Sequence, residues 1–196
     1  MTSDVLHPHT GDALIIVDVQ NDFLPGGALA VPDGDAIIPL LNAYIDIFRE
    51  RNLHIYATRD WHPAHHCSFK AQGGIWPVHC VADTPGAAFA RQLQLPPSTV
   101  VISKAMSPDQ DAYSGFQGTD LAQRLRAQGI KRLHIGGLAT DYCVLNTVRD
   151  ALAEQFAVVL LEDAIRAVDL NADDGVKAIA AMHEQGAVST TLAKIM

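Results

Sequence analysis

The chain has 196 residues, the length of one domain or of one domain with an elaboration. Hydrophobic residues make up 48% of it and charged residues 18%, so a full hydrophobic core is expected and disorder throughout the chain is not. The 14 basic and 22 acidic side chains give a formal net charge of −8, which argues against nucleic acid and acidic membrane surfaces as partners. A neutral or cationic small molecule fits this charge better.

The same sequence predicts a cytoplasmic protein. Its apolar runs, such as 13–17 and 157–161, are far shorter than the roughly 18 residues that a membrane helix needs. Residues 1–12 contain no basic segment followed by an apolar run, so no secretory signal is expected. Three cysteines are an odd number and too few for a disulfide framework, which favours a reducing compartment and at least one free thiol.

Apolar runs of strand length alternate with helical periodicity along the whole chain. The predicted strands cover 13–19, 53–58, 99–103, 132–136, 157–161 and 187–190. The predicted helices cover 37–48, 120–128, 141–154 and 173–185, and glycines suited to end a helix follow two of them, at Gly129 and Gly186. This alternation predicts a three-layer α/β/α sandwich with a six-stranded, mainly parallel sheet, built as a single domain over residues 1–196.

Functional residues are expected beyond the carboxyl ends of the strands, where parallel sheets bind ligands. Asp18 closes the first predicted strand, Asp60 follows the second, Lys104 follows the third, and the fourth runs into the segment that contains Cys143. Each has an ordinary explanation, as a turn-capping acid, a solvated lysine or a buried apolar cysteine. Together they would place an acid, a base and a thiol on one edge of the sheet. Contact between Asp18 and Lys104 requires the first and third strands to be neighbours, or the loop after the third strand to fold back.

Cys143 has the surroundings of an activated nucleophile. Thr140 and Asp141 are predicted as the N-cap and first-turn acid of its helix, so the helix dipole and Lys104 would both favour the thiolate. Asp18 can accept the thiol proton and return it to a leaving nitrogen.

A second cluster lies in a long loop insertion at about 59–85, which holds four of the nine histidines and both tryptophans. Asp60 and His62 form a D-x-H pair, and His79 follows in the same loop. A carboxylate and two imidazoles suit Zn²⁺, Fe²⁺ or Mn²⁺. The other interpretation is a turn-capping Asp60 with histidines scattered over the surface.

Five blocks of the sequence occur together in one order. They are DVQNDF at 18–23, DWHPAHHCSF at 60–69, WPVHC at 76–80, DAYSGF at 111–116 and GGLATDYCV at 136–144. With these blocks the chain resembles, over nearly its whole length, the nicotinamidases (pyrazinamidases) of the isochorismatase-like cysteine hydrolases. It departs from many relatives in having AMSP, without a glycine, directly after the lysine, at 105–108.

The resemblance implies a catalytic triad of Asp18, Lys104 and Cys143. It also implies a cis peptide bond between Leu138 and Ala139, and an oxyanion hole formed by the Ala139 and Cys143 amides.

The resemblance further implies one divalent metal ion, with Zn²⁺ expected first and Fe²⁺ or Mn²⁺ as alternatives. Its ligands would be Asp60, His62 and His79. His66 aligns with a fourth ligand in some relatives and has no such role in others, which leaves both options open. The predicted walls of a pocket for a flat ring are Phe23, Leu29, Trp76 and Tyr113, three of which (all but Leu29) match ring-lining positions of the family.

The implied activity is hydrolysis of nicotinamide to nicotinate and ammonia through a thioester, in NAD salvage, together with hydrolysis of pyrazinamide to pyrazinoate. One alternative is an amidohydrolase of the N-carbamoylsarcosine or ureidoacrylate type, although those relatives generally lack the Asp60, His62 and His79 loop. Another is a binding module that kept the fold without the chemistry. A homo-oligomer is considered, but the sequence leaves the oligomeric state open.

Overall fold

The computed structural model describes residues 6–195 of the chain. Its strands are β1 (Asp12–Val17), β2 (His54–Asp60), β3 (Val100–Lys104), β4 (Arg132–Leu138), β5 (Ala157–Arg166) and β6 (Val188–Thr190). Its α-helices are α1 (Ile38–Glu50), α2 (Leu121–Ala127), α3 (Leu145–Ala153) and α4 (Asp174–Glu184). The strands form one six-stranded sheet in the order β3-β2-β1-β4-β5-β6, and every pair in it is parallel.

The central strand β1 is buried on both faces, which explains its continuous apolar sequence. Leu14 and Ile16 pack into a core that includes the buried side of α1. Ile15 and Val17 point to the opposite core, which is formed with α2, α3 and α4. The sheet therefore lies between one helix and three, and the predicted three-layer sandwich is confirmed.

Two helices end at glycine as the sequence predicted. After α2, Gly129 has a φ of 68° and its N–H donates to the Arg126 carbonyl, while Ile130 N–H reaches back to Leu125. Gly186, with a φ of 109°, follows α4 in the same way. A left-handed residue at this position is common where a helix turns into a following strand.

Five of the six strands end one to five residues away from their predicted ends, and β1 and β5 show the causes. β1 ends at Val17 instead of residue 19, because Asp18 has a left-handed φ of 49° that turns the chain. β5 continues five residues beyond its predicted end at 161, to Arg166. Glu162 and Asp163 interrupt the apolar pattern there, but the Asp163 carboxylate accepts a hydrogen bond from the Tyr44 hydroxyl at 2.8 Å.

The helix after β4 begins differently from its prediction. Residues Thr140–Val144 form a π-helical turn that leads into α3. Thr140 is not the N-cap: Ala139 occupies that position, and its carbonyl accepts the N–H groups of Tyr142 at 3.1 Å and Val144 at 3.0 Å. Asp141 does lie in the first turn, but its carboxylate binds residues of another loop.

No helix within residues 6–195 is both long enough and apolar enough to cross a bilayer.

Candidate active site and metal-binding residues

The strand ends bring the three predicted catalytic residues together. Asp18 directly follows β1, Lys104 is the last residue of β3, and Cys143 lies in the turn after β4. All three are buried, and their strands all end at the same edge of the parallel sheet. These side chains therefore lie at the carboxyl ends of the strands, as the sequence predicted.

Lys104 is the centre of this cluster. Its Nζ lies 2.9 Å from Asp18 Oδ2 and 3.5 Å from Cys143 Sγ, and it forms an ion pair with Asp60. It also donates to the Ala112 carbonyl at 3.3 Å. Because β2 lies between β1 and β3, the first of the two alternatives left open by the sequence, neighbouring first and third strands, does not occur. The contact with Asp18 is made instead by the extended lysine side chain, which spans the end of β2.

Burial controls the protonation of the cluster. It raises the pKa of Asp18 above its usual range, despite the opposing charge of Lys104. Burial would lower the pKa of Lys104, but the carboxylates of Asp18 and Asp60 outweigh it and raise that pKa. Burial also raises the pKa of the Cys143 thiol, and the Lys104 charge opposes this only in part. Burial therefore favours the protonated thiol of Cys143, Lys104 favours the thiolate as the sequence predicted, and the Asp18 carboxylate lies beside both groups.

Two buried polar side chains that sequence reasoning missed hold Asp18 and Asp60 in place. Thr58 Oγ1 donates to Asp18 Oδ1 at 2.7 Å. Gln20 brackets the backbone of Asp60, since its amide nitrogen donates to the Asp60 carbonyl and its amide oxygen accepts the Asp60 N–H, both at 2.8 Å. The only signal in the sequence was that Thr58 is polar within an apolar strand and that Gln20 belongs to the first block.

Asp60, His62 and His79 also come together and are buried. One possible ligand atom from each lies within 4.8 Å of the others. His62 Nδ1 is 3.1 Å from the His79 carbonyl, and His79 Nδ1 is 2.8 Å from the Pro77 carbonyl. Such backbone contacts fix the rings of metal-binding histidines and leave each Nε2 for the ion.

The charges and pKa values of this group also fit a cation. Burial, followed by the neighbouring imidazole of His79, lowers the pKa of His62 to about 3, so its ring is neutral, as a metal ligand must be. When Asp18 and Asp60 are both ionised, Lys104 balances only one of them and leaves a buried negative charge in excess. The residues therefore form a candidate site for a divalent metal ion.

His66 is completely buried beside this group. Its ring centre lies 4.4 Å from that of His62. Its Nδ1 is 2.7 Å from Ser68 Oγ, and its Nε2 is 3.1 Å from the Gln110 carbonyl. Both ring nitrogens therefore have protein groups at hydrogen-bond distance, and the role of His66 as a fourth ligand stays a prediction.

A cavity connects the two clusters. Its walls include Cys143 on one side and the Asp60, His62 and His79 group on another. All the residues predicted to surround a flat ring also line it: Phe23, Leu29, Trp76 and Tyr113. Sequence reasoning missed four further apolar or aromatic walls: Val31, Ala112, Tyr142 and Val168.

The cavity is shaped by an aromatic cluster and by the turn at Ala139. Trp76 Nε1 donates to the Tyr113 hydroxyl at 2.9 Å, and the Trp76 and Tyr142 rings meet edge to face at 5.0 Å. The Leu138–Ala139 peptide bond is cis, as expected. Within residues 6–195 the Ala139 N–H has no hydrogen-bond acceptor, so it is available to a ligand in the cavity.

The chain belongs to the isochorismatase family, since the isochorismatase domain matches residues 12–194. Within this family it is similar to nicotinamidases and pyrazinamidases. The nicotinamidase of Escherichia coli is 39% identical over 92% of this chain and 95% of its own length.

Solved structures give the same result. The pyrazinamidase of Pyrococcus horikoshii in complex with zinc has a TM-score of 0.89 and 51% identity, covering 93% of this chain and 99% of that one. PnC1 from L. infantum, in complex with nicotinate, has a TM-score of 0.89 and 37% identity, covering 97% and 99%. The resemblance found in the five sequence blocks is confirmed, and the chain is an amidohydrolase.

Proposed function

We propose that this chain is a metal-dependent cysteine amidohydrolase that converts nicotinamide to nicotinate and ammonia, and pyrazinamide to pyrazinoate, as a step of NAD salvage. One observation carries the proposal: the same cavity is lined by Cys143 and by the residues that can bind a metal. The similarity to the nicotinamidase of Escherichia coli and to the zinc-bound pyrazinamidase of Pyrococcus horikoshii supports it.

The cavity suits a small, flat, uncharged carboxamide. Phe23, Leu29, Trp76 and Tyr113 supply the apolar walls, and Cys143 also lines the cavity, within reach of a carboxamide bound there. The complex of the L. infantum relative with nicotinate supports a pyridine ring as the occupant.

Asp60, His62 and His79 would hold one divalent ion. When bound, the ion supplies an electrophilic position for a pyridine ring nitrogen. We propose Zn²⁺ first, since the Pyrococcus horikoshii relative was solved with zinc, and Fe²⁺ or Mn²⁺ as alternatives. The chain's own contribution is orientation: a ring held at that end keeps its carboxamide beside the sulfur, and such positioning can be worth several kcal/mol.

In the first half of the reaction, Asp18 takes the proton from Cys143 Sγ, and the sulfur forms a bond to the carboxamide carbon. The Ala139 and Cys143 N–H groups donate to the oxygen that becomes negative. The carbon–nitrogen bond then breaks while the nitrogen takes the proton from Asp18. Ammonia leaves, and a thioester remains on Cys143. Lys104 stabilises Asp18 as it gains and loses this proton.

In the second half, water attacks the thioester carbon while Asp18 takes one of its protons. The carbon–sulfur bond breaks, the sulfur recovers a proton through Asp18, and nicotinate leaves. Each proton that Asp18 accepts is therefore returned within the cycle. The buried Asp18 beside a charged Lys104 suits this role, because burial favours its protonated form while the Lys104 charge favours its ionised form.

Three further expectations remain proposals. Residues 1–196 act as one domain with the metal-binding insertion at about 59–85. The protein works in a reducing compartment such as the cytoplasm, because its nucleophile and the thiols of Cys67 and Cys80 are all unpaired. Assembly into a homo-oligomer stays a prediction.

The deciding experiment measures ammonia release by the metal-loaded protein from nicotinamide, pyrazinamide, N-carbamoylsarcosine and ureidoacrylate. We expect rapid release from the first two only, with nicotinate and pyrazinoate as the other products. Preference for one of the other substrates would replace this proposal by the related amidohydrolase activity, and no release from any of them would favour the binding module.

A further inference from the structure

Asp141 makes contacts that the proposed reaction does not use. It lies two residues before Cys143, in the π-helical turn. Its Oδ1 accepts the N–H of Val168 and its Oδ2 accepts the N–H of Asp169, both at 2.9 Å. One carboxylate therefore ties the turn that carries the nucleophile to the segment that follows β5.

That segment, 167–173, is also fixed at a second point. Asp169 has a left-handed φ of 51°, and its Oδ1 accepts the N–H of Gly175, at the start of α4, at 2.7 Å. The packing at Gly175 is close, since a Cβ atom there would lie 2.5 Å from the Ala167 Cβ. The backbone between the two anchors is therefore held firmly in position.

Val168 is the residue of 167–173 that lines the cavity, beside Ala139, Tyr142 and Cys143. Asp141 itself does not line the cavity. Asp141 is therefore connected to the cavity through a single residue. Its carboxylate holds the Val168 backbone, and the Val168 side chain forms part of the cavity wall.

The strand order says which part of a substrate meets this wall. The metal-binding Asp60 ends β2, Cys143 follows β4, and Val168 follows β5, which lies beyond β4 in the sheet. Val168 thus lies across the nucleophile from the metal-binding residues. A pyridine ring whose nitrogen faces those residues presents its opposite edge, the C4–C5 edge, to Val168.

We propose that Asp141 is a positioning residue that sets the Val168 wall, so that the cavity accepts rings without substituents on the C4–C5 edge. This inference rests on the proposed function. A wall on a loosely held segment could move away from an added methyl group, whereas one held by two backbone hydrogen bonds cannot. Discrimination against a single methyl group in a tight apolar site is about tenfold or more.

The test compares kcat/KM for nicotinamide, 5-methylnicotinamide and 6-methylnicotinamide in the metal-loaded wild type, Asp141→Asn and Val168→Ala. Both variants should lower the preference for nicotinamide over the 5-methyl compound by about tenfold. The preference over the 6-methyl compound should not change, because C6 is next to the ring nitrogen and far from Val168. The double variant should show no further loss, since both changes act on the same wall.

Asp163→Asn is the matched control. Asp163 also accepts a backbone N–H, from Leu192 at 2.8 Å, but it does not line the cavity. Its loss should lower the melting temperature without changing the preference. The inference is overturned if Asp141→Asn changes only the melting temperature. It is also overturned if Asp141→Asn lowers kcat equally for all three compounds, because Asp141 would then act through Cys143. If Asp141→Asn does not fold, an unchanged preference in Val168→Ala overturns it. Failure of the proposed function is distinct, because the wild type would then not hydrolyse nicotinamide.

Discussion

Lys104 Nζ and Asp18 Oδ2 lie 2.9 Å apart although the strands that carry them are not neighbours in the sheet. The intervening strand β2 contributes Asp60 to the same ammonium. The lysine thus joins the carboxylate proposed to move protons to the carboxylate proposed to bind the metal. Both predicted clusters depend on this one buried cation.

Replacement of Lys104 by methionine should therefore destabilise the fold as well as abolish activity. It leaves two buried carboxylates without their cation, and breaking a buried ion pair in this way costs about 3–5 kcal/mol. The free energy of unfolding in urea, measured at pH 7, checks this. Lys177→Met is the control, because Lys177 is exposed and lies 3.9 Å from Asp174; its change should stay within about 0.5 kcal/mol.

Adding Asp18→Asn to the Lys104→Met variant should recover part of the lost stability, since it removes one of the uncompensated charges. Equal stability of the single variant and the wild type would contradict the central role of the lysine.

Cys143→Ala should abolish turnover and leave the metal content unchanged. The sulfur is the nucleophile that attacks the carboxamide in the proposed reaction, so kcat should fall by at least about a thousandfold. Ammonia release and elemental analysis of the same samples check both parts. Cys67→Ala is the matched control, because Cys67 does not line the cavity and its loss should leave the rate nearly unchanged. Substantial activity in Cys143→Ala would rule out the thiol mechanism.

The pH profile should report the raised pKa of Asp18. The carboxylate must be ionised to take the thiol proton, so kcat/KM should fall as the pH falls through this pKa. Since burial raises the pKa, the loss should begin at a higher pH than for an exposed aspartate.

Thr58→Val should move this acidic limb to still higher pH. The Thr58 hydroxyl donates to Asp18 and favours its ionised form, so its removal raises the pKa further. Thr84→Val is the control, because the Thr84 hydroxyl donates only to the nearby Val81 carbonyl. An acidic limb that does not move in Thr58→Val would argue that Asp18 is not the titrating base.

Much of this site could be predicted because its residues stand at positions with a local signal. Asp18, Asp60 and Lys104 come at the ends of recognisable strands, and Cys143 lies in the helical turn that follows a pair of glycines. Strand ends of a parallel sheet meet at one edge, so local signals alone indicated a common site.

The supporting contacts had no such signal. Thr58 and Asp18 are 40 positions apart and meet only through the pairing of β1 with β2. Alternation of strands and helices predicts a parallel sheet but does not fix the strand order, so the span of Lys104 across β2 could not be foreseen. The hydrogen-bond partners of Asp141 lie just after the end of β5. That end could not be predicted, because Glu162 and Asp163 interrupt the apolar pattern of the strand.

The metal-binding residues make the last prediction. His62→Ala and His79→Ala should each lower the bound metal well below one ion per chain, because each removes one of three candidate ligands. Elemental analysis after dialysis against a weak chelator checks this without reference to activity. His65→Ala is the control, since His65 is exposed, and it should retain the metal of the wild type. His66→Asn should retain it too, because Ser68 and Gln110 already contact both nitrogens of the His66 ring. Loss of metal in His66→Asn would instead make His66 the fourth ligand, and full metal content in His62→Ala would contradict the ligand set.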